Sequence, residues 1–288
     1  MSRRRIIRFP VDPEPPLADR RVNHQASLLA NLTRRRLLQL VCFTGAGVGA
    51  TFLIAAVFQL SAAEQTNENS SPMTAVPSKT LAERIVEYCE QKGYQLSKGS
   101  GEKNIIYVEG MYPNGQLNEN EFNVWNDSRL VIEFKNGEPV IIGAWEATTN
   151  PGAYYTNNPM NPKGVAILAF GQYTAWQVGI HYGYGADPHE ALVQAGAEVT
   201  LHRDANKDGI RTGDLTDTGF FDINQTWGYD LPANNINFGS AGNLVGRTRQ
   251  GHQEFMALCK QDPRYLKNRA FVFSTTIIEG RKLFYGND

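Results

Sequence analysis

Two periodicities divide the chain. Leu81, Ile85, Val86 and Cys89 recur at helical spacing and stop at Gly93, the rhythm of a helix with one apolar face. Thr80 and Glu83 frame its start in capping-box order, so that hydroxyl and carboxylate each satisfy a free backbone amide. The glycine after the run suits a left-handed C-cap. Beyond this helix the pattern shortens to β-branched and aromatic runs: NIIYVEGM from Asn104, RLVIEF from Arg129, VIIGAWEA from Val140, VAILAF from Val165, AWQVGI from Ala175 and AEVTLH from Ala197. Asn136-Gly137 between the second and third is a two-residue hairpin signal, because both residues tolerate positive φ. GHQEFMALCKQD reads as a short helix and AFVFSTTII returns to strand. No internal repeat interrupts the series. The pattern predicts a mainly β, α+β domain, a β-sandwich or open barrel with one or two packed helices.

With 288 residues, 41% hydrophobic and 20% charged, the chain is ordinary globular material. Its net charge of −1 conceals a split. Up to Ala63 there are nine Lys/Arg against three Asp/Glu, and the rest holds 19 against 26, a balance of −7. An acidic body argues against nucleic acid as a partner, since phosphate binding needs clustered positive charge. Three cysteines are too few for a disulfide scaffold.

The basic stretch TRRRLLQL (Thr33 to Leu40) leads into the uncharged VCFTGAGVGATFLIAAVFQL (residues 41–60), then the small residues of SAAEQ. That order reads as an export signal, and Thr-Arg-Arg-x-Leu-Leu resembles the twin-arginine signal, whose pathway carries folded proteins. A run of about twenty apolar residues also just spans a bilayer, which makes an uncleaved membrane anchor the alternative. The Gly-rich middle favours cleavage. Either way the body is expected in the periplasm or on the outer face of the inner membrane. Residues 1–32 are expected to be a disordered basic region, 33–63 the signal or anchor, 64–77 a polar linker, and 78–288 the folded domain.

Five segments occur in an informative order: NNPMNPKGVAILAFGQYTAWQVGIH, HEALVQAG, RDANKDG, GFFDINQTWGYD and FGSAGNLVGR. Together they resemble the L,D-transpeptidase-like domains of bacterial and phage cell-wall proteins, over roughly Asn104 to Ile278. The resemblance implies a strand ending in a Gly-Ile-Asn-x-His type of motif and a later Ser-x-Gly-Cys turn. In such a site the histidine activates the cysteine, and the thiolate attacks a peptide-stem carbonyl of peptidoglycan. Here Ile223-Asn224-Gln225 is kept and Thr226 stands at the histidine position; Ser240-Ala241-Gly242 is kept and Asn243 stands at the cysteine position. Threonine is no base near neutral pH, and an amide nitrogen with a delocalised lone pair is no nucleophile. Loss of both partners together fits a pseudoenzyme, because either alone is of little use.

Other candidate chemistry competes with blander readings. Cys259 sits at an apolar position of FMALCK and reads as a small core hydrophobe rather than a replacement nucleophile; pairing with Cys89 is an open alternative in an exported protein. His181, His189 and His202, with Asp187, fit no standard zinc spacing. By the resemblance, His181 falls where the family has a histidine, near a substrate groove. Asp204, Asn206, Asp208 and Gly209 reproduce the first half of a calcium loop, but Leu215 takes the place of the bidentate glutamate and Asp214 compensates only in part. An Asp/Asn/Gly hairpin is the plain reading. Among the aromatics Tyr154, Tyr155, Tyr173, Trp176, Tyr182, Tyr184, Trp227 and Tyr229, the expected ligand set is Tyr184, Trp227 and Tyr229 with His181, Ser240 and Gly242, while Trp176 belongs to the core. The leading expectation is an exported, non-catalytic domain that binds peptidoglycan or a related envelope component. The alternatives are an active transpeptidase or carboxypeptidase using another nucleophile such as Cys259, and a calcium-stabilised structural or adhesion module.

Overall fold

A computed structural model describes residues 79–183 and 188–286. The chain separates into Met1–Met73 and Thr74–Asp288, and all described residues fall in the second unit. The signal or anchor read at 33–63 therefore lies outside the described residues. Among those described, no helix is long and apolar enough to cross a membrane.

Helix α1 (Leu81–Gln91) begins with the expected capping box: the Glu83 amide donates to Thr80 Oγ1 at 3.2 Å and the Thr80 amide to Glu83 Oε2 at 2.6 Å. It lays Ile85 and Cys89 against strand β1 (Asn104–Glu109) and strand β2 (Asp127–Lys135). All six residues of β1 are buried, because its two faces have different covers. Ile106 and Val108 point outward beneath α1, whereas Ile105 and Tyr107 point into the main core. A strand covered on both faces loses the apolar–polar alternation, which is why NIIYVE reads as continuous. Strand β3 (Glu138–Thr148) follows β2 through Asn136 and Gly137, both at positive φ, +53° and +89°, as the hairpin signal predicts.

After the one-turn helix α2 (Ala153–Asn157) come β4 (Val165–Leu168), β5 (Gly171–His181), β6 (His189–Gln194), β7 (Val199–Asp204) and β8 (Leu215–Gly219). Then come β9 (Gln225–Trp227), β10 (Leu244–Gly246), α3 (Arg249–Lys260), α4 (Pro263–Lys267), β11 (Phe273–Glu279) and α5 (Gly280–Tyr285). Eight strands form one closed barrel in the order β1-β11-β5-β6-β9-β10-β3-β2, while β4, β7 and β8 make a separate three-stranded sheet. The mainly β character with packed helices is as read from the sequence. Closure comes from β1, which pairs antiparallel with β2 and parallel with β11. No local pattern announces a pairing between segments so distant in the chain.

The barrel has one thin seam. Strands β6 and β9 share a single residue pair, Leu192 with Gln225, and α3 packs over this region against β3, β6, β9 and β10. Its Phe255, Met256 and Cys259 enter the core beside Leu192 and Leu244. The seam positions the site.

Candidate functional site

Strands β9 and β10 run parallel, with Leu244 opposite Gln225, Val245 opposite Thr226 and Gly246 opposite Trp227. Thr226 on β9 and Asn243 at the entry to β10, seventeen positions apart along the chain, are thus brought to neighbouring segments, with Thr226 opposite Val245. Asn243 sits just before β10, beside Asn224, whose backbone is held at both ends. The Asn224 amide donates to Asn243 Oδ1 at 2.9 Å, and the Leu244 amide donates to the Asn224 carbonyl at 3.0 Å. The asparagine side chain therefore extends the ladder by one rung, and its oxygen is spent on structure. Thr226 is buried, and its hydroxyl makes no hydrogen bond among the described residues.

The Ser-Ala-Gly turn is built as tightly. Ser240 Oγ accepts from the Gly242 amide and donates to the Asn243 carbonyl, each at 3.2 Å. Gly242 has φ +111°, and a Cβ there would come within 2.4 Å of the Ala166 carbonyl, so glycine is required by both conformation and space. Ser240 and Gly242, expected as ligand contacts, act here as turn builders.

His181 and His189 face each other across β5 and β6 with ring centroids 5.4 Å apart. The next ring on from His189 is His252 at 5.5 Å, with Trp227 at 5.6 Å. Asn224 Oδ1 accepts from the Gln194 amide at 2.8 Å, so its Nδ2 donates to His181 Nδ1 at 3.1 Å. Burial and the neighbouring His189 push the His181 pKa down to about 4, and a neutral ring with Nδ1 accepting follows. His252 is settled the same way. Arg129 is a donor only, so its Nη1 contact at 3.2 Å makes His252 Nδ1 the acceptor; Nε2–H then donates to the Glu190 carbonyl at 2.8 Å. Burial, then Arg129, push this pKa down to about 3.

Arg129 is the buried centre of the arrangement. Its guanidinium donates to the Thr226 and Leu244 carbonyls at 2.9 and 3.2 Å and to the Tyr107 hydroxyl, and lies 4.3 Å over the Phe255 ring. No carboxylate pairs with it among the described residues. Neither Arg129 nor His252 stands out in the sequence as a site residue, although a signal exists. Arg129 shares the inward phase of β2 with Val131, and His252 lies on the apolar face of α3 with Phe255, Met256 and Cys259. A polar residue in the apolar phase of an element is the informative anomaly.

A cavity of about 370 Å³ opens beside this cluster, lined by His189, Glu190, Trp227, Arg249, His252 and Lys260 among others. Trp227 presents its ring to Arg249 at 4.2 Å and to Tyr229 at 5.0 Å, and its buried Nε1–H has no acceptor among the described residues. Trp227, Tyr229 and His181 are thus linked through ring contacts that run by way of His189, whereas Tyr184 and Asp187 lie outside the described residues. His202 does not join them. It sits on β7, opposite Ile167 and Thr216, so His181, His189 and His202 do not converge on a metal site.

The other candidates stand apart. Cys89 and Cys259 are free, buried thiols in different core clusters; burial pushes Cys89 up to about 12 and Cys259 higher still. Thiolate chemistry has no support at either. In the calcium-like loop, Asp204 accepts the Asp208 and Gly209 amides at 3.1 and 3.0 Å, and Asp208 accepts from the Ile210 amide and Asn206. Burial, then Asp204 and Asp208, raise the Asp214 pKa. Among the described residues no group of three or more His, Cys, Asp and Glu side chains could hold a metal ion.

Fold and site together define a closed β-barrel with an imidazole–indole cluster at its thin seam. No protein-family model, curated protein or solved structure matches the chain.

Proposed function

We propose that this chain is an exported, non-catalytic relative of the L,D-transpeptidase-like domains, and that it binds peptidoglycan or a related envelope component without cutting it. The observation that carries the reading is the pairing of β9 with β10. It brings Thr226 of β9 near Asn243 at the entry to β10, beside Asn224, Ser240 and Gly242. A frame of that kind suits a nucleophile and its base, yet neither position offers one, and Asn243 spends its oxygen on the Asn224 amide. What is left is a recognition surface. Tyr229 supplies a half-buried aromatic face suited to glycan stacking, held by the buried Trp227 ring beside a cavity edged by Arg249 and Lys260.

Co-sedimentation of the full-length chain with purified sacculi is the test. The expected result is saturable pelleting that falls at least fivefold in Trp227→Ala, with no covalent adduct after exposure to a carbapenem. A chain that stays wholly in the supernatant defeats the binding claim, and an adduct by mass spectrometry defeats the non-catalytic one.

A further inference from the structure

A second cavity, of about 240 Å³, lies away from the imidazole cluster, between the 120–126 segment and the 208–210 loop. Four asparagines line it, and the NH₂ group of each is held by a protein acceptor. Asn120 Nδ2 donates to Glu109 Oε1 at 3.0 Å and Asn150 Nδ2 to Glu109 Oε2 at 3.2 Å. Asn126 Nδ2 donates to the Glu121 carbonyl at 2.9 Å. Asn123 is spent at both ends, on Asn235 and on the Ala153 and Asn237 amides. These amide orientations follow from chemistry. A carboxylate and a carbonyl can only accept, so each must face an NH₂ group. Glu109 is kept ionised for this role: burial alone would raise its pKa, but the Arg211 guanidinium at 2.6 Å and the Thr149 hydroxyl outweigh burial and hold it low.

Asn120, Asn126 and Asn150 thus have their NH₂ groups anchored on protein acceptors and their carbonyl oxygens unpaired, and Asn150 Oδ1 is buried with no donor among the described residues. Two carboxylates, Glu121 and Asp208, complete the polar lining, and no Lys, Arg or His is among the lining residues. Glu121 makes no side-chain hydrogen bond or ion pair among the described residues. The remaining walls are apolar, with Phe122 46% and Ile210 57% exposed at the rim and Ile236 behind. A lining of acceptors, negative charge and hydrocarbon asks for donors, positive charge and a hydrocarbon stem.

We infer that this cavity binds an aliphatic ammonium group, its N–H donors meeting the asparagine and carboxylate oxygens while Phe122 and Ile210 cover the stem. A neutral polyol is a poorer fit, since its O–H donors bring no positive charge to the Glu121 and Asp208 carboxylates. A bare metal ion is poorer too, because the apolar walls offer it no ligands. The inference is independent of the reading of Thr226 and Asn243. Glu109, which touches no ligand, is a positioning residue here.

Titration calorimetry on the full-length chain tests it with n-butylammonium, 1-butanol and butyrate, which share a stem and differ in head group. Butylammonium is expected to bind at least tenfold tighter than butanol, butyrate not at all, and added salt should weaken the amine. Glu121→Gln, an exposed and unpartnered side chain whose loss should leave the melting temperature unchanged, should weaken the amine about fivefold. Equal binding of amine and alcohol, or an unchanged affinity in Glu121→Gln, overturns the proposal. So does tighter binding of butylguanidinium, or displacement of the amine by micromolar calcium.

Discussion

His252 gives a quantitative handle on the seam. Its ring is buried and held neutral, with Nδ1 accepting from Arg129 and Nε2–H donating to Glu190. Protonation would put a second positive charge against the guanidinium and leave Nδ1 with nothing to accept its proton. The folded pKa is accordingly depressed to about 3, against 6.5 for the free side chain. For such a group the unfolded chain binds the extra proton, so its stabilising contribution is present above pH 6.5 and is lost as pH falls toward 3. Between pH 7 and 5 the folded ring stays neutral throughout. The loss is then set by titration of the unfolded chain alone, and comes to about 2 kcal/mol. Glutamine at this position keeps an Nε2–H donor for Glu190 but does not titrate. Urea unfolding followed by circular dichroism, at pH 7 and at pH 5, should show wild type losing about 2 kcal/mol more than His252→Gln over that interval. Comparing the two chains also cancels Asp127, whose contribution has the opposite sign. If both chains lose the same stability within about 0.5 kcal/mol, His252 is protonated in the folded state and the tautomer argument fails.

Four further outcomes are expected. Asp127 shares the Thr149 hydroxyl with Glu109, at 3.0 and 2.6 Å, and burial, then Glu109, push its pKa up to about 7; raised acids stabilise when protonated, so in urea unfolding wild type should lose about 1 kcal/mol more than Asp127→Asn as pH rises from 6 to 8.5, the histidine contributions cancelling between the two chains, and equal losses contradict this. Replacing Arg129 by Met orphans the Thr226 and Leu244 carbonyls together with the Tyr107 hydroxyl, and should cost about 3 kcal/mol in the same assay; an equally stable variant would mean that the buried charge contributes no net support. In a Cys42→Ser background, Thr226→His combined with Asn243→Cys should give one thiol that reacts with iodoacetamide well below pH 8, while Cys89 and Cys259 stay unlabelled until the chain unfolds; a new thiol as inert as those two refutes the proposed frame. Melting temperatures in calcium and in chelator should agree within about 1 °C, because Asp204 already closes its loop on the Asp208 and Gly209 amides; a clear upward shift with calcium would restore the calcium-stabilised alternative.

Legibility in the sequence follows the range of the forces involved. The α1 capping box and the Asn136-Gly137 hairpin are made within a few residues, and both occur where the pattern places them. Strand β2 is readable too, yet its Arg129 escapes notice because RLVIEF looks uniformly apolar until its two faces are separated. Pairings between distant segments are not legible. VAILAF reads like any other strand of the series, but it leaves the barrel for the small sheet with β7 and β8. Arg211 lies between the two, donating to the Leu168 carbonyl at 2.9 Å and pairing with Glu109 of β1. Nothing in the composition around Arg211 shows that its partner is a glutamate about a hundred residues earlier. The acceptor-lined cavity is invisible for a similar reason, since asparagines are unremarkable in loops until their amide directions are known.

On the proposed reading, the β9–β10 pair accounts for a frame that keeps its geometry without catalytic chemistry. The register of β9 and β10 rests on backbone rungs, on Asn243 Oδ1, and on Arg129 reaching the Thr226 and Leu244 carbonyls from inside the barrel. None of these uses the side chain at position 226, and the one contributed by position 243 needs an uncharged acceptor, which an amide supplies better than a thiol. Arg129 in turn is held by Tyr107 and by a neutral His252, neither of which lies on β9 or β10. Geometry and reactivity thus depend on separate groups. Substitution at position 226 leaves the supports untouched, and asparagine at 243 adds a rung of its own. A frame supported in this way keeps its neighbouring surface, with Trp227, Tyr229 and Arg249 in fixed relation, and a surface of that kind can recognise a ligand with no bond being made or broken.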